Sequence, residues 1–259
     1  MQLFAIASAF LTMLAGTWVG LRLFLLSKRT GQRPERLIGI GMLSFGAVAY
    51  PMFLLLVTSA SALPAWAAIG LSIGANTAYF ICLVALALFT RVVFRPESAL
   101  GALLVGIIAV IGLCGSGLSA WSGIQHSGIS PALDPLMRWG GAMIGTSFAL
   151  AFCWASIEAF AYRTSLRKRL ALGLSDPVVV NRFSVWVLGT GVSAIVDIGL
   201  VVTSITGIDP TTNPIPALLQ STSGLACAIT WTLTFAPSEM YLNWVRTRAA
   251  RATEAIDQA

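Results

Sequence analysis

Asp197 is the residue on which any chemistry in this chain would turn. It lies inside the apolar run Arg182–Thr206, where an ionisable group near a bilayer centre costs about 2.5 kcal/mol or more and is normally turned inward and paired. At about 1.5 Å rise per helical residue, Asn76, Thr146, Ser147, Asp197, Thr222 and Ser223 share one layer, roughly 10–18 Å below the helix ends on the N-terminal side. No basic residue stands at that depth, so Asp197 is expected to be protonated or hydrogen-bonded to Asn76, Gln220 or Ser223. Asp197, Asn76, Thr146, Ser147, Gln220, Thr222 and Ser223 form the candidate ligand-binding set, with Trp154, Trp186 and Trp231 as lining. For the Ser and Thr residues the competing reading is plain interhelical hydrogen bonding, at about 0.6 kcal/mol a bond. A lone carboxylate is a costly way to hold helices together, which favours a functional role for Asp197.

Other chemistries lack their essential residue. A retinal Schiff base needs an intramembrane lysine, and the two lysines, Lys28 and Lys168, lie between apolar runs. His126 is the single histidine, which argues against haem, intramembrane zinc and hydrolases that rely on several histidines. Gly115-Ser116-Gly117 followed by His126 could form a Ser/His dyad. The stronger reading makes Gly112, Gly115, Ser116, Gly117 and Ser119 small residues for close helix packing. No enzyme, metal or cofactor is expected. Cys82, Cys114, Cys153 and Cys227 all fall within apolar runs, so no structural disulfide is expected.

The elements that must position the layer are transmembrane helices. The chain is 57% hydrophobic and 10% charged with mean hydropathy +0.84, outside the range of a soluble domain. Seven apolar stretches stand out: Gln2–Ser27, Arg36–Thr58, Trp66–Val92, Ser98–Trp121, Pro135–Tyr162, Arg182–Thr206 and Ile215–Ala236. Each exceeds the roughly 20 residues needed to cross a bilayer. Lys28, Arg29 and Arg33, then Arg95, then Arg163, Arg167, Lys168 and Arg169, and finally Arg246, Arg248 and Arg251 fill alternate gaps. The expected fold is therefore an all-α seven-helix membrane protein with its N-terminus outside and its C-terminus in the cytoplasm, placed in a bacterial inner membrane. The net charge of +6 reads as attraction to anionic lipid rather than to nucleic acid.

Pro34, Pro64, Pro96, Pro135, Pro177 and Pro214 mark the starts of helices two to seven, whereas Pro51 should free the carbonyl of Ala47 and kink helix two. Gly16/Gly20, Gly70/Gly74 and Gly141/Gly145 should tighten helix contacts within the molecule. Asp134 should pair with Arg138, and Glu158 with Arg182. Residues 1–237 form the membrane domain; 238–259 form a short amphipathic surface helix and a frayed tail. Trp66, Trp121, Trp139 and Trp244 read as interfacial anchors.

Without an effector domain, a signal must pass to a separate partner. The basic segment Arg163–Asn181 and the C-terminal helix could dock lipid or protein. The functional expectation is a sensor or receptor-like protein that binds a small apolar or amphipathic molecule in the outer half. The alternatives are a proton-linked transporter or channel using Asp197, and an accessory subunit of a membrane complex.

Overall fold

In hydrocarbon every backbone N–H and C=O must be satisfied within its own segment, so long apolar runs fold as helices. The computed structural model of the protein describes residues 2–59, 62–127, 134–208 and 213–257, and among these there is no strand. α1 spans Gln2–Thr30. α2 is one continuous rod built from Arg33–Leu43, a π-helical turn at Ser44–Ala49, and Tyr50–Ser59. α3 (Ala65–Phe94), α4 (Ala99–Gln125), α5 (Pro135–Ala171), α6 (Pro177–Thr206) and α7 (Pro214–Phe235) follow, and α8 (Glu239–Asp257) ends the chain.

Six of these rods, α1 to α6, are long and apolar enough to cross a membrane, as in a multi-pass membrane protein. The expected seventh span, α7, has 22 residues but is not among the helices apolar enough to cross, because the run Gln220-Ser221-Thr222-Ser223-Gly224 dilutes its hydropathy. Consecutive rods pack side by side and α7 returns to α1, which closes a ring; α3 leans inward onto α5, and α8 lies against α6. Tyr241 of α8 accepts a hydrogen bond from Asn181 Nδ2 at 2.6 Å, and Val245 is buried beside it.

Every Lys and Arg except Arg138 lies in the half of the ring that holds α8, Arg22 being the deepest of them. The apolar core occupies the half nearer that basic end, through Val19, Met42, Leu83, Phe89, Trp154, Trp186 and Trp231. Small hydroxyl side chains take over in the other half, where Ser8, Thr12, Ser72, Ser147 and Ser221 are buried.

Helix starts follow the proline signals. Pro stands at the first positions of α2, α5, α6 and α7, and Pro64 precedes α3. Side chains of Ser98, Asp134, Asp176 and Asn213 cap α4 to α7. At Pro51 the distortion takes the form of the π-helical turn, in which the Tyr50 N–H reaches back five residues to the Phe45 carbonyl. That turn carries Phe45 into the interior, against Tyr50, Tyr79 and Trp231.

Two expected ion pairs are replaced. Arg138 turns from Asp134 to the C-terminus of α6, donating to the carbonyls of Ser204 at 3.2 Å and Ile205 at 2.6 Å. There it lies over Gly207, whose φ of +69° suits glycine. Free carbonyls at a helix end attract a cation, while Asp134 is committed to its own helix cap and to Ser122. Glu158 pairs with Arg95 of the α3 terminus at 2.8 Å, not with Arg182. The inward lean of α3 onto α5 brings its terminal Arg95 to Glu158, although Arg182 stands on the adjacent rod α6.

The glycine pairs work within the molecule at two of three sites. Gly16 and Gly20 meet α2 backbone at Gly46, Leu43 and Gly39, and Gly141 and Gly145 face Ser204 and Val201 of α6. Gly74 touches Met52, and Gly70 has nothing within 4 Å.

Candidate functional site

Asp197 sits on α6 about two and a half turns from its C-terminus. The side-chain oxygen Oδ2 is buried and accepts no hydrogen bond. Three other buried polar atoms share that condition among the described residues, Ser119 Oγ, Trp186 Nε1 and Thr234 Oγ1, and none of them is ionisable at neutral pH. One turn away on the same face, Ser193 is fully buried, with its hydroxyl 3.2 Å from the Cys227 thiol of α7. Cys227 in turn interacts with Ser223, one turn earlier on its own helix, and with Asp197. Ser193, Asp197, Ser223 and Cys227 thus form a two-by-two polar patch across the α6–α7 contact. Gly145 of α5 closes it on the other side, approaching the backbone of Asp197 and the side chain of Val201.

The remaining candidates separate. Asn76 is half-buried on α3 and spends its amide on the Ser72 carbonyl at 2.9 Å. It makes no bond to Asp197. Thr146 donates to Ala142 at 2.8 Å, and the fully buried Ser147 donates to Met143 at 2.9 Å. Gln220 and Thr222 are exposed on the outer face of α7, with Thr222 donating to Leu218. Of the seven candidates, Asp197 and Ser223 share Cys227 as a neighbour, and no hydrogen bond joins the two. Back-bonding of a hydroxyl to the carbonyl four residues earlier satisfies a Ser or Thr without any partner helix. Depth alone therefore overstates the layer.

Sequence reasoning missed Ser193 and Cys227. Their signal is the spacing: Ser193 precedes Asp197, and Ser223 precedes Cys227, each by one helical turn. It also missed Ser8 and Thr12 of α1, which face α7, with the Ser8 hydroxyl donating to the Ser221 carbonyl at 2.5 Å.

Trp154, Trp186 and Trp231 are buried, and Trp66, Trp121, Trp139 and Trp244 are exposed, as is Trp18 midway along α1. The buried three lie toward the basic end of the patch, with Trp186 edge-on to Phe89 and Phe235. His126 caps the end of α4, its Nδ1 3.0 Å from the Ser122 carbonyl. Ser116 is buried ten residues back along the same helix, roughly 15 Å away, too far for a dyad. No group of three or more His, Cys, Asp or Glu residues that could hold a metal occurs among the described residues. Compared with models of known families, with curated proteins and with solved structures, the chain matches none.

Proposed function

We propose that the protein is a seven-helix membrane sensor, receptor-like in construction, that responds to a small amphipathic molecule at the α6–α7 patch. α7 serves as the seventh span, and the N-terminus lies outside. The observation that carries the reading is the buried Asp197 Oδ2 with no protein donor, at the edge of the apolar core where Ala194 and Cys227 end it. A ligand hydroxyl or amine entering between α6 and α7 would supply the missing donor, and its apolar part would lie along the helices. Movement of α6 would reach the basic end, where Arg163–Asn181 and α8 offer a cationic face to a partner.

The same lone carboxylate supports a second reading, proton-linked movement of a small solute with Asp197 as the protonation site. Flux measurements in liposomes separate the two. Ligand binding without solute or proton flux, lost in Asp197→Asn, supports the sensor. Flux that disappears in Asp197→Asn overturns it in favour of the transporter. Orientation is checked with single cysteines on a cysteine-free background. Ser127→Cys should label from outside and Ser165→Cys only after permeabilisation, and the opposite result would reverse the topology.

A further inference from the structure

A groove of about 310 Å³ opens between α3 and α5 at the basic end, lined by Val93, Phe94, Arg95, Glu158, Tyr162 and Ser165 among others. Arg95 uses Nε on Glu158, and its side chain is 57% exposed. Its two terminal guanidinium nitrogens have no partner among the described residues. Glu158 is held from behind, since its Oε1 also accepts from Trp154 Nε1 at 3.3 Å and its side chain is only 13% exposed. The ion pair therefore fixes the guanidinium with its free fork turned outward. The exposed Ser165 lies two turns further along α5. Val93 and Tyr162 are exposed on the apolar side of the groove, and Phe94 stacks edge-on with Tyr162 and Phe183.

We propose that this groove binds the phosphate of a phospholipid headgroup, with the Arg95 guanidinium and the Ser165 hydroxyl as donors and the lipid's glycerol end against Val93 and Tyr162. A fork of N–H donors matches a phosphodiester. The polar rim sits where the apolar parts of both helices end, at headgroup depth for chains embedded in the bilayer. The proposal rests on the membrane-spanning reading of these helices and not on the role of Asp197.

Native mass spectrometry of the full chain, released from detergent with dioleoyl phosphatidylglycerol, diolein or inorganic phosphate, tests it. Wild type should retain one phosphatidylglycerol that Arg95→Gln holds roughly tenfold or more weakly. Glu158→Gln breaks the same ion pair but leaves Arg95 present, so it should keep the lipid. This variant distinguishes binding from a merely structural role for the pair. Equal loss of lipid in both variants would overturn the proposal. So would retention in Arg95→Gln, equal retention of diolein, which has no phosphate, or displacement by inorganic phosphate alone.

Discussion

The tightest test of the fold is a single methyl group at Gly46. A Cβ built there would stand 2.8 Å from the Thr17 nitrogen and 2.9 Å from both Gly16 Cα and Gly16 C. All three are backbone atoms of α1, so no side chain can swing aside, and Gly46→Ala must push α1 and α2 apart. Overpacking of this kind costs typically 1–3 kcal/mol. The usual helix gain of Ala over Gly, up to about 1 kcal/mol, shrinks here because membrane helices stay helical when they separate. A net loss of about 1–3 kcal/mol is expected, read as a lower midpoint in equilibrium unfolding by sodium dodecyl sulfate. Gly70→Ala, with nothing within 4 Å, should stay within about 0.5 kcal/mol of wild type. Gly16 faces Gly46 at 3.1 Å, so the double variant Gly16→Ala/Gly46→Ala should lose less than the sum of the two singles, because the helices part once for both. If Gly46→Ala is as stable as wild type, the α1–α2 crossing described here is wrong.

Further outcomes follow from individual contacts. Arg138→Ala should lower thermal stability in detergent by about 1–2 kcal/mol, because the Ser204 and Ile205 carbonyls lose charged donors but can turn to water. The Ser122 hydroxyl, more than the Met137 N–H and the nearby His126, holds the Asp134 carboxyl below its usual range against a smaller opposing desolvation. Its contribution is complete above the unfolded value of about 3.9 and is lost as pH falls through the lower folded value; melting curves of Asp134→Asn should lack that acid-side drop. Asp197→Leu should melt at or above the wild-type temperature, gaining up to about 1–3 kcal/mol by removing a buried acceptor without a partner, and a clear fall would reveal a donor to Asp197.

Much of the architecture was legible because lipid enforces it. Helix starts at Pro34, Pro135, Pro177 and Pro214 could be read from single residues, since proline at a first turn sacrifices no hydrogen bond. Distance to the span ends matched the exposure of Trp66, Trp121, Trp139 and Trp244 but not of Trp18, which is exposed midway along α1. Which neighbour a side chain chooses was less legible. Glu158 could reach Arg95 or Arg182 as judged by depth, and the inward lean of α3 onto α5, which no sequence pattern marks, decides for Arg95. Arg138 likewise lay one turn from Asp134 in sequence, but the unsatisfied carbonyls that draw it belong to a helix more than sixty residues away.

The candidate site shows the same boundary. Depth along each helix can be counted at 1.5 Å per residue, whereas rotation about the helix axis cannot be counted when an apolar run faces lipid on one side and protein on the other. Thr222 and Ser223 are adjacent in sequence, yet Thr222 is exposed and bonds its own backbone while Ser223 is half-buried and turns toward Cys227. Among hydroxyl residues, self-satisfaction erases the functional signal that depth implies. A carboxyl group is costlier to bury, because the ionised form carries acceptors only and even the protonated form leaves a second oxygen to be satisfied. Asp197 therefore keeps its meaning where Thr146, Ser147 and Asn76 lose theirs, and its neighbours Ser193, Ser223 and Cys227 are the residues to vary alongside it.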